Sequence, residues 1–401
     1  MDGKHRAWLA VVAIVAVAAV VMAGLAILAI YTPVTATIPV GSNPGAVVYD
    51  SGKREVFVAN LGSGSVSVIS DATNAVVATV NVGMFPSTLA YISGKGEVFV
   101  GTDGNVSVIS DTSNKVVATV HVGITFGMAY DSGKGEVFVG NETCNRMTCE
   151  SQQYVDVVSV ATNTVVATVP VDFAPEGMTY DSGKGEVFVS DGEGTYIISD
   201  ITNAIVASVP AAGGSGLAYD SGKGEVFVAG ADFVSVDSTS LSVISDKSDT
   251  VVKTIYVGPD KEWLTGAGLT QGVAYDSSMG EIFVGNVICG SAMTCGPNGE
   301  VNVISDRSNQ VVATIPIDGF PTGLAYDGEK GEVFVANDDS NTVSIISDTP
   351  YAIALLVGMM TVVLAAVSTL LVVRFYKVGT CSRPASASSS AKGPEPPNPG
   401  P

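Results

Sequence analysis

The stretch Leu89–Val122 reads LAYISGKGEVFVGTDGNVSVISDTSNKVVATVHV and contains four strand-like pieces separated by turns. The pieces LAY, EVFV, VSVIS and VVATV are rich in β-branched and aromatic residues, which favour strands. The segments between them carry the glycine, serine, aspartate and asparagine that are typical of tight turns. One such unit therefore predicts a four-stranded antiparallel sheet.

The Glu-Val-Phe-Val piece, or a close variant, occurs seven times at intervals of 39 to 56 residues. The copies begin at Glu55, Glu97, Glu136, Glu186, Glu225, Glu281 and Glu332. A repeat of about 40 residues with four strands is typical of a radial propeller. The sequence thus predicts an all-β, seven-bladed β-propeller over residues 35–348, with an open β-solenoid as the alternative.

The two ends of the repeat region complement each other. The outer VVATV-like strand follows only the first six copies of the motif, and the chain enters an apolar stretch after Asp348. The segment Thr35–Gly41 reads TATIPVG and resembles Ala313–Ile317, which reads ATIPI in blade six. We therefore expect the N-terminal strand to complete blade seven and to close the ring, since closure removes exposed sheet edges.

Two apolar segments flank the repeats. Residues 7–31 and 351–373 carry no charge, and each is long enough to cross a hydrocarbon core of about 30 Å as a helix. Basic residues precede the first segment and follow the second. By the positive-inside rule we expect cytoplasmic residues 1–6, two transmembrane helices, an extracellular propeller and a disordered cytoplasmic tail over 374–401.

A cleaved signal peptide is the alternative for residues 7–31, although their apolar core exceeds the usual length of about 7 to 15 residues. The part between the cytoplasmic flanks carries 13 basic and 37 acidic residues, a net charge of −24. Such a surface repels nucleic acid, which excludes nucleic-acid binding. It leaves open the binding of a cation or a basic partner.

Four cysteines lie in the exported part as two close pairs, Cys144 with Cys149 and Cys289 with Cys295. Paired cysteines in an oxidising compartment predict local disulfides. A zinc site is the alternative. It fits poorly, because His121 is the only histidine of the exported part and lies in a separate strand.

Two sites match the Asn-X-Ser/Thr pattern of N-glycosylation. Asn141 is expected in an inserted loop, where a glycan has room. Asn105 is expected at the start of a strand, which suits a glycan less well.

The order of strands assigns every connection to one of two faces. The short Asp-Ser-Gly-Lys-Gly and Ser-Asp turns share one face, which the adjoining apolar segments place close to the bilayer. The long connections share the opposite, membrane-distal face; they are Asn141–Tyr154, Gly230–Ser240, Asn286–Glu300 and Gly258–Gln271. The last carries Lys261, Glu262 and Trp263, which we interpret as candidate partner contacts because aromatic anchors dominate interfaces. Packing of the tryptophan on its own blade is the alternative.

Aspartates recur in both kinds of short turn. Clustered oxygens can bind Ca²⁺. The competing interpretation is structural and is favoured, since an aspartate at the first turn position bonds its own backbone and the adjacent lysine offsets its charge.

Units such as Glu55–Asn60 (EVFVAN) followed by SVSVISDATNAVVATVNVG resemble the YVTN β-propeller repeat family of archaeal and bacterial surface proteins. The resemblance covers about residues 35–348 and implies a seven-bladed ring in a cell-surface or surface-layer setting. It implies no single activity, and no active-site residues carry over.

These features favour a membrane-anchored, non-catalytic surface scaffold whose distal loops bind a surface protein or a glycan. No histidine cluster, metal-ligand spacing or nucleophile motif is present, so we predict no catalytic residue, no cofactor and no metal site. One alternative is an extracellular enzyme or redox-subunit-like propeller with a site at the central channel, where Glu176 is the exceptional residue. Another is a surface-lattice component that binds copies of itself.

Overall fold

The structure is a computed structural model. It describes residues 33–144, 151–191, 193–210, 213–230, 240–257, 269–289 and 295–348, together with Gly393. The predicted membrane segments 7–31 and 351–373 lie outside the described residues. Among the described residues, no helix has the length and apolar character needed to cross a membrane.

The described chain contains seven four-stranded antiparallel sheets, and each sheet is one blade. Strand β1 is Val34–Pro39. Blade one contains β2 Pro44–Asp50, β3 Glu55–Asn60, β4 Ser65–Ser70 and β5 Ala75–Asn81. Blade two contains β6 Thr88–Ile92, β7 Glu97–Gly101, β8 Asn105–Ser110 and β9 Lys115–His121. Blade three contains β10 Ile124–Asp131, β11 Glu136–Cys144, β12 Ser151–Ser159 and β13 Thr164–Val171.

The remaining blades repeat this order from the innermost strand outward. Blade four contains β14 Gly177–Asp181, β15 Glu186–Ser190, β16 Gly194–Ser199 and β17 Ala204–Pro210. Blade five contains β18 Gly216–Asp220, β19 Glu225–Gly230, β20 Ser240–Ser245 and β21 Thr250–Tyr256. Blade six contains β22 Leu269–Asp276, β23 Glu281–Cys289, β24 Cys295–Ser305 and β25 Gln310–Asp318. Blade seven contains β26 Pro321–Asp327, β27 Glu332–Asn337 and β28 Thr342–Ser347.

Strand β1 supplies the outermost strand of blade seven. It pairs antiparallel with β28, with Ile38 opposite Val343 and Ala36 opposite Ile345. The first and last strands of the repeat region thus share one sheet, as the TATIP segment predicts. Ile38 packs in one hydrophobic cluster with Phe334 of blade seven and Val58 of blade one.

The core lies between neighbouring blades. The phenylalanine of every Glu-Val-Phe-Val copy is fully buried: Phe57, Phe99, Phe138, Phe188, Phe227, Phe283 and Phe334. Each second strand is buried on both faces because it lies between two blades, whereas the outer strands keep exposed valines. Burial of these phenylalanines, together with the many valines and isoleucines around them, supplies the favourable free energy of this packing.

The turns that join first to second strands and third to fourth strands take the conformations that their residues predict. Glycine has positive φ in the first kind of turn in six blades, with Arg54 at that position in blade one, and asparagine has positive φ in most copies of the second kind. In blade four the two turns approach closely, since a Cβ on Gly185 would lie 2.7 Å from Oδ2 of Asp200. The close approach there favours glycine.

Two of the predicted loop insertions are extended β-hairpins. Strands β11 and β12 continue to the pair Cys144 and Ser151, and β23 and β24 continue to Cys289 and Cys295. The expectation of irregular loops over these stretches was wrong. Continued backbone pairing gives the amide and carbonyl groups of the insertions their hydrogen-bond partners.

Candidate binding face

Two faces of the ring differ in their connections. We call the side with the short first-to-second and third-to-fourth turns the turn face. We call the side with the second-to-third connections and the links between blades the loop face. Both definitions follow from the strand order within each antiparallel sheet.

A repeated cluster joins neighbouring blades at the turn face. The tyrosine of the innermost strand donates a hydrogen bond to the aspartate that follows the third strand of its own blade; in blade four, Tyr180 Oη lies 3.2 Å from Asp200 Oδ2. The same hydroxyl borders Asp131, the first-turn aspartate of the preceding blade. Burial, then the two neighbouring carboxylates, raise the pKa of Tyr180 well above its usual value. The phenol therefore stays protonated and able to donate.

Lysines complete most of these clusters. The Lys134 ammonium donates to the carbonyl oxygen of Asp200 in the next blade and lies 3.4 Å from its carboxylate. Lys184, Lys223 and Lys330 make the corresponding carbonyl contact with Asp246, Asp306 and Asp71. Each of these four junctions thus buries two carboxylates beside one cation, which offsets part of their repulsion.

The first-turn aspartates also fix their own turns. Asp131 Oδ1 accepts hydrogen bonds from the backbone nitrogens of Gly133 and Lys134 at 2.7 and 3.1 Å. The same pattern recurs at Asp50, Asp181, Asp220, Asp276 and Asp327. These contacts support the structural interpretation of the repeated carboxylates. Within the described part of the chain, no three His, Cys, Asp or Glu side chains form a group that could hold a metal ion.

The blade two–three junction is an internal exception. Ile92 and Val160 occupy the positions of the two aspartates, and both are buried in one hydrophobic cluster with Tyr130 beside them. Lys95 still donates to the carbonyl oxygen of Val160, at 2.8 Å. Both acidic positions of the repeat are therefore apolar at this junction.

The loop face is acidic. Exposed carboxylates lie on its links and second-to-third connections, namely Asp103, Asp172, Glu176, Glu193, Asp318 and Asp339. The lysines and arginines of the described residues all lie in turn-face segments, apart from Lys253 in the middle of outer strand β21. Among the described residues, cations are therefore confined to turn-face segments and outer strand β21, whereas carboxylates occur on both faces and are mostly exposed on the loop face.

Apolar side chains are exposed on the same face around blades one to three. Met84 is 66% and Phe85 is 55% exposed, and Leu61 and Ile124 are also exposed. Phe85 has φ of 53°, in the left-handed region. That conformation costs a non-glycine residue about 1–2 kcal/mol, so the backbone holds an exposed aromatic ring at a strained position.

The central channel offers little chemistry. The innermost strands carry no His, Cys, Lys or Arg, and their only acidic residues are the turn-face aspartates. Glu176 precedes β14 at the loop face, where partial burial and then Asp191 raise its pKa. A single carboxyl group without a partner base or nucleophile does not form a catalytic set.

The partner contacts predicted from the sequence, Lys261, Glu262 and Trp263, lie outside the described residues. Sequence reasoning missed Met84 and Phe85, whose signal was the apolar pair within the link Gly83–Pro86.

The predicted glycosylation site at Asn141 was wrong for the folded ring. Asn141 lies in strand β11 and is buried, and its Nδ2 donates to Asp156 Oδ2 at 2.9 Å. That nitrogen has no room for a glycan. Asn105 begins β8 as expected, and its Oδ1 lies 2.7 Å from His121 Nδ1.

The backbone brings one predicted cysteine pair together. Cys289 and Cys295 are directly opposite each other in the β23–β24 ladder. Opposite residues of antiparallel strands have Cα atoms about 4.5–5.5 Å apart, within the range that a disulfide spans. For the other pair, Cys144 ends β11 and Cys149 lies outside the described residues.

Comparison with known proteins supports the fold. No model of a known protein family matches the chain, and no curated relative matches it. Hydrazine synthase from Kuenenia stuttgartiensis is structurally similar over 76% of this chain and 95% of its own, with a TM-score of 0.61 and 14% identity. The Cps50 (Swd1) β-propeller domain of Myceliophteria thermophila is similar over 78% of this chain and 98% of its own, with a TM-score of 0.60 and 11% identity. At these identities the similarity shows a β-propeller fold alone.

Proposed function

We propose that the protein is a membrane-anchored, non-catalytic scaffold whose loop face binds a partner with a basic surface. The observation that carries this proposal is the segregation of charge: carboxylates are exposed on the loop face, while the described cations lie in turn-face segments or, for Lys253, at the rim. A one-sided acidic surface attracts basic partners and accelerates their encounter. The YVTN-like repeats support a cell-surface setting.

The anchors in this proposal are residues 7–31 and 351–373. They adjoin β1 and β28, which are neighbours in blade seven, with Val34 opposite Ile346. A disulfide between Cys289 and Cys295 belongs to the same proposal, because it would stiffen a hairpin of the binding face and reduce the entropy lost on binding.

The ring suits this role because its blades are fixed to one another. Buried phenylalanines pack in every blade, and tyrosine–aspartate–lysine clusters reinforce four of the junctions, so the connections of the loop face rest on packed blades. Binding sites commonly arise from variable connections on such a scaffold. Exposed Met84 and Phe85 supply apolar anchors beside the acidic side chains.

The test replaces carboxylates of one face at a time by neutral amides, in the full-length chain on intact cells. The loop-face variant combines D103N, E193Q and D318N, and the turn-face control combines D249N and E329Q, where Asp249 is half-buried and Glu329 is exposed. Crosslinking followed by quantitative mass spectrometry measures the proteins captured by each variant. Captured basic surface proteins should decrease for the loop-face variant and persist for the control.

Salt provides a second measurement. If charge drives the encounter, capture by the unmodified protein should fall as ionic strength rises, because exposed charges are screened over about 8 Å at physiological salt. Capture that is unchanged in the loop-face variant, or reduced equally in both variants, would refute a loop-face site.

A further inference from the structure

The junction between blades six and seven lacks the cation that the other lysine junctions use. Met279 stands where the other six blades have a lysine, namely Lys53, Lys95, Lys134, Lys184, Lys223 and Lys330. A methionine can donate no proton to the carbonyl or carboxylate of Asp348 in the next blade. The two acidic residues of the cluster are nevertheless kept: Asp276 is 0% and Asp348 is 4% exposed.

Hydrogen bonding leaves this pair incompletely satisfied. Asp276 Oδ1 accepts from the backbone nitrogens of Ser278 and Met279 at 2.7 and 3.1 Å, and Asp348 Oδ2 accepts from Tyr326 Oη at 3.2 Å. The second oxygen of each carboxyl group is buried and accepts no hydrogen bond from the described residues. The two carboxyl groups are neighbours, since the Tyr326 hydroxyl that donates to Asp348 also lies 3.1 Å from Oγ of Ser278 in the Asp276 turn.

The other groups around the pair add no positive charge. Tyr326 also borders Asp276, and its hydroxyl lies 3.1 Å from Ser278 Oγ. Glu281, at the start of β23, is a third carboxyl group near both aspartates. The ammonium of Lys330 contacts the carbonyl of Asp71 in the blade seven–one junction. Two buried carboxylates without a cation repel each other strongly in a low-dielectric site.

We propose that Asp276 and Asp348 share one proton, and that the blade six–seven junction is a pH-sensitive seam in the ring. In the protonated pair, one carboxyl donates to the free oxygen of the other, and the proton comes from solvent. Deprotonation leaves two adjacent negative charges and weakens contact between the blades.

The sign of the pH dependence of stability follows from the direction in which the pKa of Asp348 is shifted. Burial, and then the hydrogen bond and charge of Asp276, raise the pKa of Asp348 to about 6, above its ordinary value of 3.8. A group whose pKa is higher in the folded state contributes stability at low pH and loses it as pH rises through the folded value. The seam is therefore expected to be intact below about pH 4 and to weaken as pH rises through about 6.

The test restores the missing cation in the full-length protein, purified in detergent. Met279→Lys recreates the residue found in the six other blades, and Met279→Leu is the control of similar size without charge. Thermal unfolding is followed by circular dichroism at pH 4.5 and 7.5. Met279→Lys should raise Tm by roughly 2–5 °C over the unmodified protein at pH 7.5, with little gain at pH 4.5. Met279→Leu should shift Tm equally at both values.

A local measurement and a second variant make the test decisive. Hydrogen exchange of the amides in Thr342–Asp348, corrected for intrinsic rate, should accelerate from pH 5 to 7.5 in the unmodified protein but not in Met279→Lys. Asp348→Asn, a neutral isostere, should remove the same pH dependence. An equal gain from Met279→Lys at both pH values overturns the proposal, as does retained pH dependence in Asp348→Asn. Stabilisation of the unmodified protein by added Ca²⁺ at pH 7.5, absent in Met279→Lys, would assign the pair to a metal ion and overturn the shared proton.

Discussion

The natural replacement at the blade two–three junction makes a quantitative prediction for the blade three–four junction. There, Asp131→Ile and Asp200→Val recreate the side chains that Ile92 and Val160 supply one junction earlier. Each single change should destabilise the ring, and the double change should cost less than the sum of the two. In each single variant the remaining aspartate stays buried, but it then lies beside an apolar side chain instead of the other carboxyl group.

The magnitude follows from the contacts that are lost. Asp200→Val removes the hydrogen bond from Tyr180 at 3.2 Å and the ion pair with Lys134 at 3.4 Å, and it leaves the Asp131 carboxylate beside an apolar group. Bonds to charged groups contribute about 1.5–3 kcal/mol, so a loss of about 2 kcal/mol is expected. Asp131→Ile removes two bonds to backbone nitrogens and should cost a similar amount.

The double variant regains an apolar contact and leaves no unpaired buried carboxylate in the cluster. Backbone groups can take over the turn bonds, as they do in blade two, where the nitrogens of Lys95 and Gly96 donate to the Ile92 carbonyl at 3.0 Å. We therefore expect a coupling free energy of about 1–3 kcal/mol, typical of residues in direct contact.

Equilibrium unfolding in guanidinium chloride of the unmodified protein, both single variants and the double variant gives this coupling as a double-mutant cycle. The slope of the transitions checks that all four proteins expose the same surface on unfolding. Strict additivity, with a coupling below about 0.3 kcal/mol, would refute the idea that the two aspartates form one unit.

Two further predictions concern the loop face. Phe85→Asn should stabilise the ring by about 1 kcal/mol, because asparagine tolerates positive φ and Asn43 has φ of 52° at the corresponding position, also before a proline. The control is Met84→Gln, at an exposed neighbour without positive φ, which should leave the unfolding midpoint unchanged. Equal effects of the two changes would contradict the strain argument. Peptide mapping without reductant should find Cys289 linked to Cys295 in protein isolated from native membranes, and full labelling of both thiols by maleimide would contradict that assignment.

Much of the fold follows from local sequence alone. The recurrence of Glu-Val-Phe-Val predicts seven blades because each copy marks one strand, and the TATIP segment predicts that β1 joins blade seven. Turn chemistry is equally local: glycine and asparagine are found at positive φ because their side chains permit that conformation.

The insertions show a limit of local reasoning. Asn141 has the composition of a loop residue, but the pairing of β11 with β12 buries it. Whether an insertion forms a loop or a longer hairpin depends on cross-strand partners, which a single segment does not contain.

The number of blades, the strand order and the residues of each turn can be read from the chain, because they depend on repeat length and on the conformational preferences of individual residues. Which carboxylates meet is set by the packing of one blade against the next. Asp276 and Asp348 are far apart along the chain, yet both border Tyr326. The effect of Met279 in place of a lysine becomes clear only when this junction is compared with the junctions of the other blades. Contacts between blades depend on the radial arrangement of the sheets, which brings the turns of one repeat against those of the next.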